Sequence, residues 1–426
     1  MSVRIITGDC REVMKTLIDE GVQFDSVVTD PPYHLTSIVK RFGSTSQADA
    51  TQTSDRARRG ADGMARLSRG FMGKQWDGGD IAYQPETWRL VFDLMKPGGH
   101  LLAFGSTRGH HRMFCAIEDA GFEIRDTVCW LYGSGFPKSH DVAKGIDKAA
   151  GVEFAARPAS GVGFMGPDGP GGYNVTKNQL TRTGETTDAA KQWQGWGSSL
   201  KPAYEPICVA RKPLIGTIAA NVLTHGTGAI NIDGCRVAGT PEATRFDPAK
   251  HSHDGYRMTA TGAECTERAS PAGRWPANVI LDGSDEVIAA FPESSVTGNR
   301  TDESRSAVVA GTRWLTNNHE SREHVDSGSA ARFFYSAKAD ASDRLGSKHP
   351  TVKPVDLMRW LVRLVTPKGG LVLDPFAGTG TTGMACMAEG MRCILIEREA
   401  EYVADIKRRI AHVSGQDAPL FAEAGP

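Results

Sequence analysis

The chain has 426 residues, 49 of them basic and 50 acidic, which gives a net charge of -1 at pH 7. This balance excludes a protein coated with positive charge, so any contact with a polyanion must use local basic patches. The length predicts one large domain with a substantial second unit, because a single compact core rarely grows so far.

The first part of the chain alternates predicted strands and helices. The strands are residues 3–7, 25–29, 101–104 and 123–132, and the helices are residues 11–20, 85–95 and 108–120. This alternation predicts a parallel sheet covered by helices on both faces. Residues 36–80 interrupt it with a segment rich in Gly, Ser, Thr and Arg, which is too long for a simple connector.

Beyond residue 133 the alternation breaks down. Residues 134–200 contain one helical stretch at 141–150, an apolar strand follows at 206–210, and residues 213–340 have little periodicity. The α/β pattern returns with helices at 355–365, 381–389 and 401–412 and strands at 371–373 and 393–396. We therefore expect an inserted region between two parts of one α/β domain, and a frayed tail from residue 414.

The eight cysteines include no C-x-x-C pair and no Cys/His cluster at zinc spacing. This usage predicts neither a disulfide framework nor a metal site, and it is typical of a reducing cytoplasm. Residues 1–6 lack the apolar stretch of a signal peptide, and no window approaches the roughly 20 apolar residues of a membrane span. We therefore expect a cytoplasmic protein with no membrane segment and no metal.

A glycine-rich turn follows the predicted strand at 371–373. Residues 374–380 read DPFAGTG and lie between a strand and a helix, where backbone N–H groups can approach a ligand closely. Glu397 ends the next strand, where a carboxylate can accept both hydroxyls of a ribose. The spacing departs from the G-x-G-x-x-G of dinucleotide-binding proteins, but the turn and the carboxylate together favour a nucleoside pocket.

A second motif, DPPY at residues 30–33, follows the apolar strand at 25–29. An amino group on a nucleobase is a poor nucleophile because its lone pair is delocalised into the ring. Hydrogen bonds from both amino hydrogens, to the Asp30 carboxylate and the Pro31 carbonyl, would free that lone pair. Pro31 and Pro32 hold the carbonyl outward, and Tyr33 offers a flat face to an extruded base. Alone, the motif could be a simple Pro-Pro turn; beside the glycine turn it predicts methyl transfer.

With these motifs the sequence resembles the β group of S-adenosylmethionine-dependent DNA amino-methyltransferases, in which the catalytic motif precedes the cofactor motif. Residues 8–10 resemble the family's acidic turn for the adenine of the cofactor, and residues 349–354 (HPTVKP) resemble the segment along its methionine end. The resemblance implies a catalytic set of Asp30, Pro31, Pro32 and Tyr33. It implies a cofactor-binding set of Asp9, His349, Thr351, Lys353, Pro354, Asp374, Pro375, Phe376, Gly378, Gly380, Thr381 and Glu397.

The resemblance also implies a circularly permuted, Rossmann-like α/β fold with a seven-stranded, mostly parallel sheet whose last strand is antiparallel. The chain would divide into a catalytic half at 1–212 (with the loop 36–80 and the insertion 134–200), a target-recognition region at 213–345, a cofactor-binding half at 346–413 and a tail at 414–426. The expected partner is double-stranded DNA, and a homodimer stays open. The candidates for DNA contact are Arg56, Arg58, Arg59 and Lys74, although a solvated loop accounts for them nearly as well.

The expected target is the N6 amino group of adenine, because Asp at the first motif position is commoner in the adenine enzymes. This is a tendency, so cytosine N4 stays open. Cytosine C5 is disfavoured because attack by ring carbon needs a Cys nucleophile and no Pro-Cys dipeptide occurs. Protein-glutamine methylation uses a related motif that begins with Asn, a DNA-binding module would need no cofactor pocket, and a nicotinamide oxidoreductase would give Asp30 no role.

Overall fold

The computed structural model describes residues 2–33, 80–135, 139–156, 180–182, 184–238, 273–294, 328–337, 341–347, 349 and 351–414. They belong to two compact units, Met1–Leu131 with Glu205–Pro426 and, separately, Tyr132–Tyr204. The four candidates for DNA contact, Arg56, Arg58, Arg59 and Lys74, lie outside the described residues, as does much of the predicted target-recognition region. Their roles and the functional division of the chain stay predictions.

A nine-stranded sheet, counted over the described residues, lies at the centre of the first unit. In chain order its strands are β1 (Val3–Thr7), β2 (Phe24–Thr29), β3 (Met95–Phe104), β4 (Glu123–Leu131), β5 (Tyr204–Arg211), β6 (Val279–Leu281), β7 (Tyr335–Ser336), β8 (Leu371–Asp374) and β9 (Arg392–Glu397). Their order across the sheet is β1-β9-β8-β2-β3-β5-β4-β6-β7. Along this order, β1, β9, β8, β2 and β3 are parallel to one another, whereas the next strand, β5, runs antiparallel to β3.

Strands from distant parts of the chain lie side by side in this sheet. β8 and β9 lie between β1 and β2, so that Val3 pairs with Cys393 and Val27 with Leu373. A strand order of this kind is expected when the cofactor-binding half follows the catalytic half in the chain. The structure therefore confirms the circularly permuted, Rossmann-like α/β fold with a mostly parallel sheet.

The predicted count of seven strands was wrong, because the sheet continues beyond β4. β6 pairs with β4 and β7 pairs with β6, both in parallel. These strands have three and two residues. A segment that short shows no alternation of apolar and polar residues, so the sequence pattern cannot reveal it.

Helices cover both faces of the sheet. In the first unit they include α1 (Cys10–Asp19), α2 (Pro85–Leu94), α3 (His110–Asp119), α4 (Ile218–His225), α5 (Val355–Val365), α6 (Thr381–Ala388) and α7 (Ala400–Ser414). Alternate residues of the central strands belong to two different buried clusters, one with side chains of α5, α6 and α7 and the other with side chains of α1, α2 and α3. In α5, Leu357, Trp360, Leu361 and Leu364 recur at helical spacing and form one buried face.

The second unit contains two short helices and a two-stranded hairpin. The helices are Val142–Ala149 and Asp188–Gln192, and the antiparallel strands are Phe154–Ala156 and Leu180–Arg182. The buried Asp147 joins the helices because one of its oxygens accepts hydrogen bonds from the backbone N (3.0 Å) and the Oγ1 (2.8 Å) of Thr187.

Within the described ranges, no helix combines the length and the apolar character that crossing a bilayer requires. The same residues contain no group of three His, Cys, Asp or Glu side chains arranged to hold a metal ion.

Candidate active site

The two sequence motifs begin at the carboxyl ends of neighbouring strands. β2 and β8 pair in parallel, and at their ends the Thr29 hydroxyl donates a hydrogen bond of 2.7 Å to Oδ1 of Asp374. From β8 the chain continues to β9 on one side, and from β2 it continues to β3 on the other. This is the point in an open α/β sheet where ligands bind, because the diverging connections leave a crevice between them.

Asp374 supports the glycine turn by accepting hydrogen bonds from it and from the helix that follows. Its Oδ1 also accepts from the backbone N of Phe376 at 3.1 Å, and its Oδ2 accepts from the Thr382 hydroxyl at 2.5 Å. Burial raises the pKa of Asp374 to about 6, although these hydrogen bonds oppose the shift. Both oxygens are therefore engaged inside the protein, which makes Asp374 a support for the turn.

The glycine turn presents bare backbone to open space. Gly378 and Gly380 have φ angles of +52° and +78°, a region that side chains disfavour. A Cβ on Gly380 would lie 2.8 Å from Ile406, whereas one on Gly378 would meet no described heavy atom nearer than Nε2 of His349, at 3.9 Å. Gly380 thus packs the turn onto α7, and Gly378 leaves a cradle that a ligand can fill. Pro375 and Thr381 are buried on either side of it.

Arg409 of α7 holds this turn in place and was missed by the sequence analysis. Its Nη1 donates to the carbonyl and hydroxyl of Thr379, both at 2.7 Å, and to the Thr381 hydroxyl at 3.0 Å. The side chain is fully buried, and burial lowers its pKa to about 10. An arginine in an amphipathic helix ordinarily faces solvent, so the pattern of α7 carries no signal for this role.

Arg409→Met is expected to lower the free energy of unfolding by about 2–4 kcal/mol, because it leaves three buried oxygen acceptors of the turn without their donor. Urea unfolding monitored by circular dichroism measures the change. The matched control is Arg408→Met, which removes a half-exposed arginine paired with Asp405 and should cost less than about 1 kcal/mol. Equal losses in the two variants would contradict this role for Arg409.

Glu397 closes the other side of the glycine turn. Its Oε2 accepts from the backbone N of Gly378 and its Oε1 from that of Glu399, both at 2.8 Å. Burial raises the pKa of Glu397 to about 7 against the effect of these bonds.

The turn between β1 and α1 lies beside Glu397, because the backbone N of Gly8 donates to the Glu397 carbonyl at 3.1 Å. In that turn Asp9 caps α1 by accepting from the backbone N of Arg11.

His349 faces the cradle from the opposite side. Its Nδ1 accepts from the backbone N of Thr351 at 3.2 Å, and its ring packs edge-on against Tyr402. Burial lowers the pKa of His349, so the ring is neutral and carries its proton on Nε2, the atom nearest to Gly378.

Pro354, the last residue of the HPTVKP segment, lies immediately before α5. Phe376 is half-buried and lies edge-on to Trp88.

The side chain of Asp30 lies in a cluster of charged groups. The Lys353 ammonium donates to Oδ2 of Asp30 at 2.7 Å and lies 3.1 Å from Oε2 of Glu205. The other oxygen of Asp30, Oδ1, is buried and has no hydrogen-bond partner in the described structure. Burial alone would lower the pKa of Lys353, but Asp30 and Glu205 outweigh it and raise the pKa above its ordinary value. Glu205, at the second position of β5, was missed by the sequence analysis.

Tyr33 is held at both ends. Its hydroxyl donates to Oε2 of Glu205 at 3.0 Å and accepts from Lys353 at 3.2 Å, and its carbonyl accepts from the Tyr83 hydroxyl at 2.8 Å. Burial, together with Asp30 and Glu205, raises the pKa of Tyr33, so the phenol keeps its proton. Gly109 lies so close to the Tyr83 hydroxyl that a Cβ there would be 1.8 Å away. The Tyr83 hydroxyl can therefore occupy this position only because residue 109 is a glycine. The sequence analysis did not identify Tyr83 as a site residue.

The structure brings the predicted residues into two adjoining groups. One surrounds the glycine turn with Glu397, His349 and the β1–α1 turn, and the other surrounds Asp30 with Tyr33 and Lys353. The HPTVKP segment contributes to both groups, because His349 belongs to the first and Lys353, four residues later, donates a hydrogen bond to Asp30 in the second. The arrangement places an unpartnered acceptor oxygen and a backbone cradle at the ends of two neighbouring strands, which suits a reaction between two bound molecules.

Comparison with protein families gives one match over most of the chain. The model of the family N6_N4_Mtase, described as DNA methylase, matches residues 24–408.

Curated relatives match shorter parts. The DNA adenine methyltransferase YhdJ of Escherichia coli (strain K12) is 39% identical over 75 residues, which are 18% of this chain and 26% of that protein. The type II methyltransferase M2.DpnII of Streptococcus pneumoniae is 38% identical over 68 residues, 16% of this chain and 25% of that protein. The chain thus spans about a quarter of the length of these relatives. Among solved structures, the PvuII DNA methyltransferase (cytosine-N4-specific) has a TM-score of 0.40 and 13% identity, over 97% of this chain and 91% of that chain.

Proposed function

Since the chain belongs to the N6_N4_Mtase family of DNA methylases, we propose that it methylates the N6 amino group of adenine at a specific site in double-stranded DNA. The observation that carries the proposal is the buried, unpartnered Oδ1 of Asp30, which follows the strand paired with the one that leads into the glycine turn. A buried carboxylate oxygen without a donor is costly, so a donor from a bound molecule is the natural partner. Adenine is favoured over cytosine by the named adenine methyltransferase among the relatives.

S-adenosylmethionine is the methyl donor of this family and supplies a methyl group already activated by a sulfonium sulfur. The cradle at Gly378 fits its nucleoside half, because the space over the backbone is open there and the carboxylate oxygens of Glu397 have further lone pairs to accept from ribose hydroxyls. Asp9, in the adjoining turn, would meet the adenine of the cofactor. The segment from His349 to Pro354 would lie along the methionine half.

Asp30 and Pro31 would activate the target amino group. Oδ1 of Asp30 accepts one amino hydrogen and the Pro31 carbonyl accepts the other, which draws the nitrogen lone pair out of the ring. Lys353 fixes Oδ2 of Asp30 and so fixes the direction of Oδ1. Tyr33, anchored at its hydroxyl and its carbonyl, would stack on the extruded base without further ordering. The residues therefore act by alignment, and no covalent enzyme intermediate is needed.

Nucleoside analysis of methylated DNA tests the proposal directly. The purified protein is incubated with isotope-labelled S-adenosylmethionine and unmethylated genomic DNA, and the DNA is digested and separated by mass spectrometry. Labelled N6-methyladenine supports the proposal, and methylation-sensitive sequencing of the same DNA gives the site. Labelled N4-methylcytosine would move the target to cytosine. Label in protein with none in DNA would favour glutamine methylation and reject the proposal.

Cofactor affinity is expected to depend on the ionisation of Glu397. With a pKa of about 7 this carboxyl is ionised above pH 7 and protonated below it, and only the ionised form accepts hydrogen bonds at both oxygens. The affinity for S-adenosylmethionine should therefore fall about tenfold or more from pH 8 to pH 5.5. Isothermal titration calorimetry across this range measures it.

Glu397→Gln should bind the cofactor more weakly at pH 8 and should flatten this pH dependence. Glu401→Gln, an exposed carboxylate on α7, is the matched control and should retain the wild-type curve. A wild-type affinity that stays constant from pH 8 to pH 5.5 would contradict the role of Glu397.

A further inference from the structure

The charges around Asp30 do not balance. Asp30 and Glu205 each contribute a carboxylate, whereas Lys353 contributes the cation that both of them contact. Tyr33, the fourth member, is neutral because its phenol keeps its proton. The cluster of Asp30, Lys353, Glu205 and Tyr33 therefore carries a net charge of -1.

Glu205 is the source of the excess negative charge. Lys353 alone would neutralise Asp30, which it contacts more closely, at 2.7 Å against 3.1 Å for Glu205. The hydrogen bond from the Tyr33 hydroxyl to Glu205 needs only an acceptor oxygen, which a neutral glutamine would also supply. The side chain of Glu205 is 20% exposed, so its charge is costly to hold there. The geometry of the cluster thus does not require the charge.

We propose that Glu205 is a selectivity-determining residue whose negative charge makes the site favour the cationic methyl donor over its neutral demethylated product. S-adenosylmethionine carries a sulfonium, whereas S-adenosylhomocysteine carries an uncharged thioether. The inference rests on the proposed function, because it needs the sulfur to lie near Asp30. An amino group held about 3 Å from Oδ1 and about 3 Å from the methyl carbon puts the sulfur roughly 8 Å from Asp30. The Glu205 carboxylate lies on the other side of the Lys353 ammonium from Asp30, so it is roughly 8–16 Å from the sulfur.

At about 12 Å one unit of charge is worth about a fivefold change in affinity for a cation, taking an effective dielectric constant of about 20 and some further screening. The affinity for the neutral thioether should hardly respond. A change in the general shape of the pocket would instead alter the binding of both molecules. The ratio of the two dissociation constants therefore separates the charge of Glu205 from a merely structural role.

The test measures Kd for S-adenosylmethionine and for S-adenosylhomocysteine by calorimetry on the purified full chain. In Glu205→Gln, the ratio Kd(homocysteine form)/Kd(methionine form) is expected to fall about fivefold relative to the wild type. The matched control is Glu389→Gln, which removes another partly buried, arginine-paired carboxylate. Glu389 lies beyond the far end of α6 from the glycine turn, about 12 Å away along the helix, and its substitution should leave the ratio within about twofold.

Two further variants, which change the net charge of the cluster in other ways, keep the test decisive if Glu205→Gln alone does not fold. Lys353→Gln makes the cluster more negative and should raise the ratio, and the double variant Glu205→Gln/Lys353→Gln restores a net charge of -1 and should return the ratio towards the wild type. Circular dichroism checks the fold of each protein. An unchanged ratio in folded Glu205→Gln, or a double variant that behaves like Glu205→Gln alone, would overturn the proposal.

The failure of this inference differs from the failure of the proposed function. If the ratio follows the charge but no DNA is methylated, the selectivity of Glu205 stands and the assignment of the target falls. If DNA is methylated at adenine but the ratio ignores the charge, the target assignment stands and the role of Glu205 falls.

Discussion

Asp30→Ala is expected to slow methyl transfer about a thousandfold, while the affinity for S-adenosylmethionine falls by no more than about tenfold, the effect of losing one negative charge near the sulfonium. The variant removes the buried Oδ1 that would accept an amino hydrogen, and a preorganised polar group of this kind is worth roughly 10²–10³ in rate. Most of the cofactor affinity persists because the glycine cradle, Glu397 and His349 are untouched. Single-turnover rates at saturating cofactor and DNA measure the first quantity, and calorimetry measures the second.

Asp30→Asn sharpens this experiment, because it keeps the shape of the side chain. An amide offers one acceptor oxygen, which either pairs with Lys353 or meets the base, but cannot do both. We therefore expect a loss of rate close to that of Asp30→Ala. A variant at Asp30 that methylates DNA at the wild-type rate would remove the amino-acceptor mechanism. Equal losses of rate and cofactor affinity would instead assign Asp30 to cofactor binding.

Lys353→Met is expected to lower the free energy of unfolding by about 3–5 kcal/mol at pH 8. It leaves the carboxylates of Asp30 and Glu205 side by side without the cation that both contact, and breaking a largely buried ion pair costs about this much.

Denaturant unfolding at pH 8 measures the loss of stability in Lys353→Met. Adding Glu205→Gln should recover part of the lost stability at pH 8, because a single carboxylate remains. Lys15→Met, which breaks an exposed ion pair with Glu12 on α1, is the control and should change stability little. A Lys353→Met protein as stable as the wild type at pH 8 would contradict the electrostatic account of the cluster.

The parts of the site that could be predicted from the sequence are those in which a chemically distinctive motif directly follows a recognisable strand. The DPPY motif and the glycine turn each follow a recognisable buried strand, and parallel strands bring their carboxyl ends to one edge of the sheet. Lys353 was predicted through the HPTVKP segment, but only as a neighbour of the cofactor. Its contact with Asp30 joins residues 323 positions apart, which no local pattern records.

Glu205 and Arg409 could not be predicted for related reasons. Glu205 lies just before the apolar stretch at 206–210, where an acidic residue normally marks the exposed start of a strand. Its partner Tyr33 is 172 positions away. Arg409 belongs to a helix with many charged residues, and only the packing of that helix on the glycine turn turns this one inward. Tertiary packing decides both, whereas the sequence pattern shows only secondary structure.

The start of β3 shows another limit. The helix predicted at 85–95 and the strand predicted at 101–104 leave residues 96–99 outside both, because Pro97, Gly98 and Gly99 are strong turn residues. The strand nevertheless begins at Met95, with an irregular register against β2 between Phe24 and Ser26. Gly98 has a φ of +76° and lies against Asn221 and Gly228, so nearby chain fills the place of a side chain.

The permuted strand order has a consequence for synthesis of the protein on the ribosome. β1 emerges first, yet its partner β9 is made about 390 residues later, as the pairing of Val3 with Cys393 requires. At about 5–20 residues per second, the chain waits roughly 20–80 s before this edge of the sheet can close. Lys353 and the glycine turn appear only near the end of that interval. A nascent chain therefore cannot assemble the candidate active site until the strands on both sides of the glycine turn have been made.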